Sequence, residues 1–575
     1  MTAENVIETD VLVIGGGLSG IFSAIKAREE GVDVTIVEKG YVGKSGAALY
    51  ANNTSIFNPE WGHNLKDWMT QIAETGDYMN NPEMTEITLK ESFERYQDLM
   101  SYGVQYPRGK DGELIGLPPH GALKDYFTGR GTIWMPILRN PTTKSGAKIM
   151  DGIMITDLIN QDGRVVGAVG FHVRSGDFYI FKSKATIVCT GGGTLSLTTY
   201  DGEAMAYRAG ADISGKEFSI SGTGPFKYMG SGYGYYGDRK DETKVSLENK
   251  QIEPLRNFGA SMFIDKYLDS DGNKVNRYTM LSAVHQGKAP FFWNLDDATP
   301  EEIETTINTG GTINVTKGTY QVPMRLEMYV GWGVHCASGI SSTDTTGGTS
   351  LPGLYAAGDG YNSRAVGAKY AHRGFGTRNA MVIGARAGHS AAEYAKKAEK
   401  VKIDQAKLAR LKDVAYAPLE RKSGFDQEWI TMQLKSITTP YYVWFVRHGD
   451  RLKAALTLIE FVNNYLTPMM YATPKDTHGL RLAHEAKGRA LSIEMALRAA
   501  IFRTESRGVH YREDYPFRDD PGWLAEVKIR QRNGGMELIR EPFPEKWWPD
   551  LSKPYRDRYP IEYLGEESIR NRNDK

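Results

Sequence analysis

The stretch DVLVIGGGLSG, residues 10–20, carries the strongest fold signal in this chain. Its first five, mostly apolar residues suit a strand buried on both faces, and the glycines that follow end that strand in a tight turn. A helical pattern then runs from Gly20 to Glu30, and VDVTIV, residues 32–37, is typical of a second buried strand that ends at Glu38. The stretch therefore predicts a β-α-β unit of about 30 residues, the building block of a parallel α/β sheet.

The glycines of this unit predict a dinucleotide site. Gly15, Gly17 and Gly20 have the spacing G-x-G-x-x-G, in which the first permits a tight turn, the second lets the backbone approach a pyrophosphate and the third allows close helix packing. The helix N-terminus offers free N–H groups and the positive end of its dipole to phosphates. At the end of the second strand, Glu38 can accept both ribose hydroxyls of an adenosine. The candidate binding residues here are Gly15, Gly17, Ser19, Gly20, Glu38 and Lys39.

Two further strands end in glycine clusters. Three strand-like segments after residue 149 fit an antiparallel meander whose last strand, residues 185–190, ends at Thr190, Gly191 and Gly192. A short strand at residues 353–357 ends in Gly358 and Asp359. Glu38 alone leaves NAD and FAD open, but a distant strand that ends in Gly-Asp is typical of flavoproteins with two dinucleotide-binding motifs. We therefore predict FAD, with the 190–192 segment near its adenosine half and the Asp359 side chain near its ribityl or pyrophosphate part.

The placement of these strands predicts the domain organisation. The FAD domain is expected to be discontinuous, residues 1–215 and 330–390, because its strands lie at the start, middle and far end of that region. Residues 216–329 are rich in Gly, Tyr, Asn and Asp, which favours an inserted α+β capping domain. Residues 391–575 show helical periodicity and end in a Pro-rich and Trp-rich tail. The predicted fold class is α/β, a Rossmann-type FAD domain with two dinucleotide-binding motifs, an inserted cap and a helical C-terminal domain with an extended tail.

Composition argues against several kinds of protein. The 575 residues carry 70 Lys plus Arg and 70 Asp plus Glu, so no global field attracts nucleic acid or an anionic membrane. No apolar stretch approaches the ~20 residues that cross a bilayer, and no signal pattern opens the sequence, so we expect a cytoplasmic protein. The two cysteines cannot form a four-thiolate cluster, and the histidines lack metal-ligand spacing, so we expect no catalytic metal.

The chain resembles the flavoprotein subunit family of fumarate reductase and succinate dehydrogenase, which includes L-aspartate oxidase and the adenylylsulfate reductase alpha subunit. The resemblance implies FAD-dependent hydride exchange with a substrate held between the FAD domain and the cap. Its anchors are DVLVIGGGLSG (10–20), VEKG (37–40), GEAMAYRAGA (202–211), GVHCASGI (333–340), LPGLYAAGD (351–359), AHRGFGTRN (371–379) and RTESRGVHYREDYPFRDD (503–520).

The resemblance implies three catalytic residues. His335 is similar to the family histidine that binds a substrate carboxylate, and Arg373 to the arginine that grips the same group. Arg256 stands where the family has its proton donor, although Asn257-Phe258-Gly259-Ala260 replaces the usual Gly-Glu-Gly-Gly. Reduction of an activated alkene requires a hydride, a proton and cations that stabilise the developing enolate-like charge, which two arginines and a histidine can provide.

Two departures from the family alter the expectations. Many relatives link FAD covalently through a histidine after the second strand, but the segment 43–46 puts Gly46 at that place, so we expect non-covalent FAD, with Ser45 and Gly46 among its binding residues. The family His-Pro-Thr after Glu-Phe is absent, because Glu217-Phe218 is followed by the segment 219–224, SISGTG. Because that histidine helps to hold the second carboxylate of a four-carbon diacid, we expect a substrate other than fumarate.

The expected activity is hydride transfer between flavin N5 and a carbon–carbon double bond conjugated to a carboxylate or acyl group. Two alternatives stay open, an adenylylsulfate reductase alpha-like protein and a non-catalytic electron-transfer subunit. Relatives draw electrons through a fused haem domain, a fused flavin domain or an iron-sulfur subunit, and this chain has the motifs of none of them. A separate iron-sulfur protein or a reduced soluble carrier is therefore the expected partner, and an oligomer is left open.

Overall fold

The computed structural model describes residues 5–117, 121–192, 199–218, 337–369, 371–372, 374–400, 402–438, 440–444 and 446–559, with the isolated residues 267–268, 271, 273–275, 288, 292–293, 563 and 566. The strands are β1 Asn5–Ile14, β2 Val34–Glu38, β3 Asn53–Ser55, β4 Asp125–Phe127, β5 Lys148–Asp151, β6 Ile153–Gln161, β7 Arg164–His172, β8 Phe178–Val188, β9 Ile213–Ser214, β10 Tyr267–Leu268, β11 Lys274–Val275, β12 Phe292–Trp293, β13 Gly339–Ser341, β14 Leu354–Ala356, β15 Tyr361–Asn362, β16 Val446–Arg447, β17 Tyr511–Arg512, β18 Ala525–Arg532 and β19 Gly535–Pro542. The helices are Leu18–Glu29, Leu65–Thr75, Pro82–Lys90, Ser92–Ser101, Gly131–Trp134, Arg139–Lys144, Asp201–Ala209, Phe375–Lys397, Gln405–Glu420, Gln427–Thr438, Tyr441–Trp444, Gly449–Phe461, Thr477–Phe502 and Tyr555–Arg558.

The main sheet has the order β5-β2-β1-β8-β7-β6. Strands β5, β2, β1 and β8 run parallel, whereas β6, β7 and β8 form an antiparallel meander. One edge of β8 is shared, because residues 178–182 pair with β7 and residues 186–188 pair in parallel with β14. The carboxyl ends of β1, β2, β8 and β14 therefore meet at one edge of the sheet, where ligands of parallel α/β sheets bind.

The sequence prediction of a β-α-β unit is confirmed. Strands β1 and β2 pair in parallel with Val11 opposite Val34, and helix Leu18–Glu29 connects them. The meander that feeds a strand before the second glycine cluster is also confirmed. Strand β1 starts at Asn5, earlier than its apolar stretch indicates, because residues 5–9 pair with residues 179–183 of β8.

A second sheet, β15-β13-β9-β18-β19, contains a hairpin that the sequence reading of the C-terminal region as helical did not include. Strands β18 and β19 pair antiparallel, and β18 adds to β9 with Ile529 opposite Ile213. Asn533 and Gly534, both with positive φ, form the turn between them. Asn-Gly between two strands is a strong hairpin signal, so the sequence did contain the information.

The helices of the C-terminal region pack on a core of their own. Helices Gln427–Thr438, Gly449–Phe461 and Thr477–Phe502 bury Leu434, Leu452 and Leu497 within it. Among the described residues, no helix combines the length and the apolarity needed to cross a membrane. Of the predicted cap, residues 216–329, the structure describes little beyond residues 216–218 and the short strands β10, β11 and β12, so that prediction lies mostly outside the described residues.

Candidate cofactor site and active site

A cavity of about 400 Å³ lies at the carboxyl ends of the parallel strands. Of the predicted cofactor residues, all but Gly20 and Gly192 line it. Residues that the sequence reading did not select also line it, from five places along the chain: Ala47, Ala48, Tyr50, Ala51, Asn52 and Asn53; Ile153, Met154 and Ile155; Thr199, Asp201 and Met205; Gly374, Gly376, Thr377 and Ala380; and Arg481.

The turn after β1 has the geometry that its glycines predict. Gly15 has a φ of +107°, in the left-handed region, and a Cβ on Gly20 would lie 1.9 Å from the Gly15 carbonyl oxygen. Gly17 has ordinary backbone angles, no protein atom lies within 4 Å of a Cβ placed there, and it lines the cavity. Gly20 therefore shapes the turn, whereas Gly17 leaves room for a ligand.

Glu38 is buried at the end of β2, and backbone amides hold its carboxylate. The Gly16 N–H donates to Oε2 at 2.6 Å, and the Gly40 N–H donates to Oε1 at 2.8 Å. These bonds fix the carboxylate between the glycine turn and the cavity, which Glu38 also lines. Each carboxylate oxygen has a second lone pair that remains available to a ribose hydroxyl.

Lys39 forms an ionic cluster beside Glu38. Its Nζ donates to Thr199 Oγ1 at 2.8 Å, Asp201 Oδ2 at 2.8 Å and Glu485 Oε1 at 2.9 Å. Burial alone would lower the pKa of Lys39, but Asp201 and Glu485 outweigh it and raise that pKa, so the lysine stays charged. Thr199, Asp201 and Glu485 belong to no nucleotide-binding motif and lie far from residues 15–39 in the sequence. No sequence pattern therefore connects them with this site.

The other two glycine clusters also contribute to the cavity wall, through Thr190, Gly191, Gly358 and Asp359. Gly191 and Gly358 both have a φ in the left-handed region, and a Cβ on Gly358 would lie 2.5 Å from Ser19 Oγ. A Cβ on Gly192 would lie 3.0 Å from the Asp359 carbonyl oxygen. The two loops therefore approach each other and helix Leu18–Glu29 at backbone distance.

The Ser45-Gly46 segment leads into the cavity wall. Ser45 Oγ donates to the Tyr41 carbonyl oxygen at 3.0 Å and accepts from the Tyr41 N–H at 2.9 Å. Gly46 has a φ of +82°, and no protein atom lies within 4 Å of a Cβ placed there. Gly46 thus leaves this wall open and offers no side chain for a covalent bond to a cofactor.

The predicted catalytic residues Arg256, His335 and Arg373 lie outside the described residues. The chain on both sides of residue 373 is described. His372 is buried, with Nε2 2.7 Å from Ser55 Oγ, and Arg378 Nη1 donates to the same Oγ at 2.9 Å. Gly374 lines the cavity, and its carbonyl oxygen accepts from the Ser55 N–H at 3.1 Å. The neighbours of residue 373 are therefore anchored to β3 at the cavity wall.

The signature segment 503–520 forms a buried ion network outside the cavity. Glu505 accepts from Arg503 Nη1 at 2.7 Å and from Arg507 Nε at 2.8 Å. Arg503 Nε also donates to Glu217 Oε1 at 2.9 Å, and Glu217 lies two residues before the segment 219–224. Burial lowers the pKa of His510 well below its usual range, and Arg447, Arg503 and Arg512 lower it further, so this histidine is neutral. The segment supports the fold around the site and does not line the cavity.

One thiol lies beneath the glycine turn. Cys189 is buried, and burial raises the pKa of its thiol to about 11, so it is inert as a nucleophile at neutral pH. The other cysteine, Cys336, lies outside the described residues.

Family models match two parts of the chain. The model described as FAD binding domain matches residues 10–230, and the model described as fumarate reductase flavoprotein C-term matches residues 434–552. The chain belongs to the fumarate reductase and succinate dehydrogenase flavoprotein family. It is therefore an FAD-dependent oxidoreductase, and both the family and the FAD prediction are confirmed.

Curated relatives match over nearly the whole chain. An uncharacterised FAD-dependent oxidoreductase of Methanocaldococcus jannaschii is 26% identical, over 93% of this chain and 98% of the relative. A fumarate reductase (CoM/CoB) subunit of Methanothermobacter marburgensis is 25% identical, over 91% and 97%. The fumarate reductase flavoprotein subunit of Mycobacterium tuberculosis is 25% identical, over 96% and 100%.

Solved structures show the same fold. A quinol-fumarate reductase chain superimposes with a TM-score of 0.75 at 16% identity, covering 94% of this chain and 99% of the other. Adenylylsulfate reductase of Archaeoglobus fulgidus gives a TM-score of 0.73 at 19% identity, covering 95% and 97%. The predicted fold class, α/β with a Rossmann-type FAD domain and helical content, is confirmed, whereas the domain bounds stay predictions.

The cavity of this family member fits FAD. The glycine cradle leaves space at Gly17 where a side chain would intrude, and helix Leu18–Glu29 starts at the cavity without a side-chain cap. Lys39 and Asp201 line the same cavity, with side chains that are 28% and 13% exposed. These charged groups can hydrogen-bond the ribose and phosphate groups of a bound cofactor.

Proposed function

We propose that this flavoprotein transfers a hydride between FAD and a carbon–carbon double bond conjugated to a carboxylate or other acyl group, with a substrate other than fumarate. The observation that carries the proposal is the cofactor cavity itself, which extends to Gly374, Gly376 and Thr377 at the start of helix Phe375–Lys397. The predicted substrate-gripping Arg373 directly precedes these residues. The proposed substrate site therefore adjoins the cofactor site along the chain.

Arg373 and His335 are proposed to bind the acyl end of the substrate. A guanidinium binds a carboxylate through two parallel hydrogen bonds, which fixes the plane of the conjugated double bond. Negative charge grows on the acyl oxygen as a hydride reaches the far alkene carbon, and both side chains stabilise that charge by donating to the oxygen. Bound FAD supplies or accepts the hydride at N5.

Arg256 is proposed to hold the proton that the adjacent alkene carbon receives. The proton leaves a guanidinium nitrogen as the hydride arrives, so the alkene gains one hydride and one proton and becomes the saturated product. An arginine is a weak acid, and a buried site with neighbouring cations is needed to make its neutral form accessible. In the reverse direction the same nitrogen accepts the proton during dehydrogenation.

The substrate is proposed to differ from fumarate because Ser219-Ile220-Ser221 follows Glu217-Phe218 in place of His-Pro-Thr. Without that histidine the site lacks one ligand for the second carboxylate of a four-carbon diacid. The region between residues 219 and 336 is instead rich in aromatic residues, which favour a larger or aromatic acyl group.

Electrons are proposed to reach the flavin from a separate iron-sulfur protein or a reduced carrier. The chain has only Cys189 and Cys336, too few thiolates for a cluster of its own. Two of the relatives are themselves named as subunits, which is in keeping with a partner.

The test is anaerobic photoreduction of the purified holoprotein, followed by a panel of fumarate, longer and aromatic enoates and adenylylsulfate. We expect an enoate other than fumarate to restore the oxidised flavin spectrum. Reaction with adenylylsulfate alone would favour the adenylylsulfate reductase reading, and failure of every compound would favour an electron-transfer subunit.

Arg373→Lys tests the binding role. It should retain FAD and slow enoate-dependent reoxidation about 100-fold, the usual effect of losing one charge-stabilising donor. The control is Arg386→Lys within helix Phe375–Lys397, where Arg386 pairs with Glu91 and does not line the cavity. Equal rates in the two variants would contradict the role of Arg373.

A further inference from the structure

Helix Thr477–Phe502 reaches the cofactor cavity from a region that contains no nucleotide-binding motif. Arg481 lines the cavity, and Glu485, one turn later, is 4% exposed. Glu485 Oε1 accepts from Arg481 Nη1 at 3.1 Å and from Lys39 Nζ at 2.9 Å. The helix thus contributes both a cavity-lining cation and a buried carboxylate to the surroundings of the cofactor.

Lys39 joins this helix to the 199–201 turn. Its Nζ bonds Asp201 Oδ2 and Thr199 Oγ1, both at 2.8 Å, as well as Glu485. Asp201 lines the cavity, and its side chain is 13% exposed. One ammonium group therefore links three segments that are far apart in sequence and keeps the carboxylate of the cavity-lining Asp201 in place.

The helix and the turn are also packed against each other directly. A Cβ on Gly488 would lie 3.1 Å from the Thr199 carbonyl oxygen, so the two backbones are in close contact. Tyr200, with a φ of +58°, is buried in one core cluster with Ala483 and Ala490 of the helix. A displacement of the helix must therefore move the turn, and with it Asp201.

We propose that Glu485 is a positioning residue of the FAD site, which couples occupation of the cavity to docking of helix Thr477–Phe502. A bound adenosine that engages Asp201 holds the turn and Lys39 in place, and Lys39 in turn holds Glu485. Removing one partner from a buried ionic cluster leaves the remaining charges unbalanced, so the cluster acts as a unit. Coupling between two binding events is reciprocal, so docking of the helix must strengthen FAD binding by the same factor by which FAD strengthens docking.

The experiment is hydrogen–deuterium exchange of the full-length protein with and without FAD. In the wild type we expect FAD to slow exchange of amides 481–489 about 10-fold, while helix Gly449–Phe461 changes little. In Glu485→Ala this FAD-dependent slowing should fall below about twofold. The Kd for FAD, measured by flavin fluorescence, should rise about 10-fold, the same factor by which FAD slows exchange in the wild type.

The control is Glu494→Ala on the same helix, because Glu494 pairs with Arg498 and Asn463 and does not line the cavity. It should keep the full FAD-dependent slowing. If Glu485→Ala does not fold, Glu485→Gln, which keeps the shape of the side chain and removes its charge, should show the same loss. Full slowing in either Glu485 variant, or none in the wild type, would overturn the proposal. The test requires only FAD, so its failure is distinct from failure of the enoate assay.

Discussion

Gly17→Ala should separate cofactor binding from folding. Gly17 has φ −76°, which alanine adopts freely, and no protein atom lies within 4 Å of the added Cβ. The new methyl group therefore strains nothing in the protein, but it enters the cavity where the pyrophosphate is expected to approach the backbone.

The size of the effect follows from that geometry. Forcing one extra methyl group into a filled site costs about 1–3 kcal/mol, which corresponds to an increase of about 5–150-fold in the Kd for FAD. The free energy of unfolding of the apoprotein should change by less than about 1 kcal/mol, because the loss of unfolded-state entropy and the poorer helix cap oppose each other.

The assay combines fluorescence titration of the apoprotein with FAD and thermal unfolding of the apoprotein. Gly20→Ala is the comparison, because its Cβ would lie 1.9 Å from the Gly15 carbonyl oxygen and must disturb the turn itself. Gly20→Ala should therefore weaken both FAD binding and the apoprotein. An unchanged Kd in Gly17→Ala would show that the cofactor does not pass this glycine, and the reading of the turn would be wrong.

Three further outcomes are expected. Glu505→Gln should lower the free energy of unfolding by about 3–5 kcal/mol in denaturant titrations, because it leaves buried Arg503 and Arg507 without their shared anion. The control is Glu393→Gln, which removes one partner of the exposed Glu393–Lys396 pair and should change the free energy of unfolding by less than about 1 kcal/mol. Burial alone would raise the pKa of Asp77, but Arg518 and Lys369 outweigh it and hold that pKa below its usual value of 3.8. The charged carboxylate therefore stabilises the fold at neutral pH, and this stabilisation is lost on acidification below about pH 4. In Asp77→Asn the free energy of unfolding should depend less on pH over that range, and an unchanged pH dependence would contradict the assignment. Acid precipitation should release the flavin into the supernatant, since Gly46 offers no side chain for a covalent bond, and a yellow pellet would show that a bond exists elsewhere.

Much of the cofactor site could be predicted because its signals are local. The turn from Gly15 to Gly20 and the carboxylate of Glu38 belong to one β-α-β unit, whose strands and helix have characteristic periods. The prediction of Asp359 rests on a strand that ends in Gly-Asp, and Asp359 lines the cavity. In both cases the backbone geometry and the binding residue lie within a few residues of each other, and the structure places them at one cavity.

The remainder depends on contacts that no local pattern encodes. The pairing of Lys39 with Glu485 joins residues 446 positions apart. The apolar pattern of helix Thr477–Phe502, which carries Glu485, indicates only which face of that helix is buried. The pairing of β18 with β9 joins Ile529 to Ile213, 316 positions apart, although Asn533-Gly534 did signal the hairpin itself. The roles of Arg256, His335 and Arg373 rest on motif resemblance and stay predictions.

Strands β9 and β13 are antiparallel neighbours, with Ser214 opposite Gly339, and they bracket the long stretch 219–336. The chain therefore enters this stretch just after β9 and returns from it just before β13. These two strands are paired, at a spacing that a short loop could bridge. A different stretch could therefore be inserted here without breaking the pairing of β9 with β13; it would replace the proposed catalytic residues Arg256 and His335 and leave the nucleotide-binding strands unaltered. A chimera that joins the stretch of one relative to the strands of another at β9 and β13 would test whether substrate specificity is transferred with it.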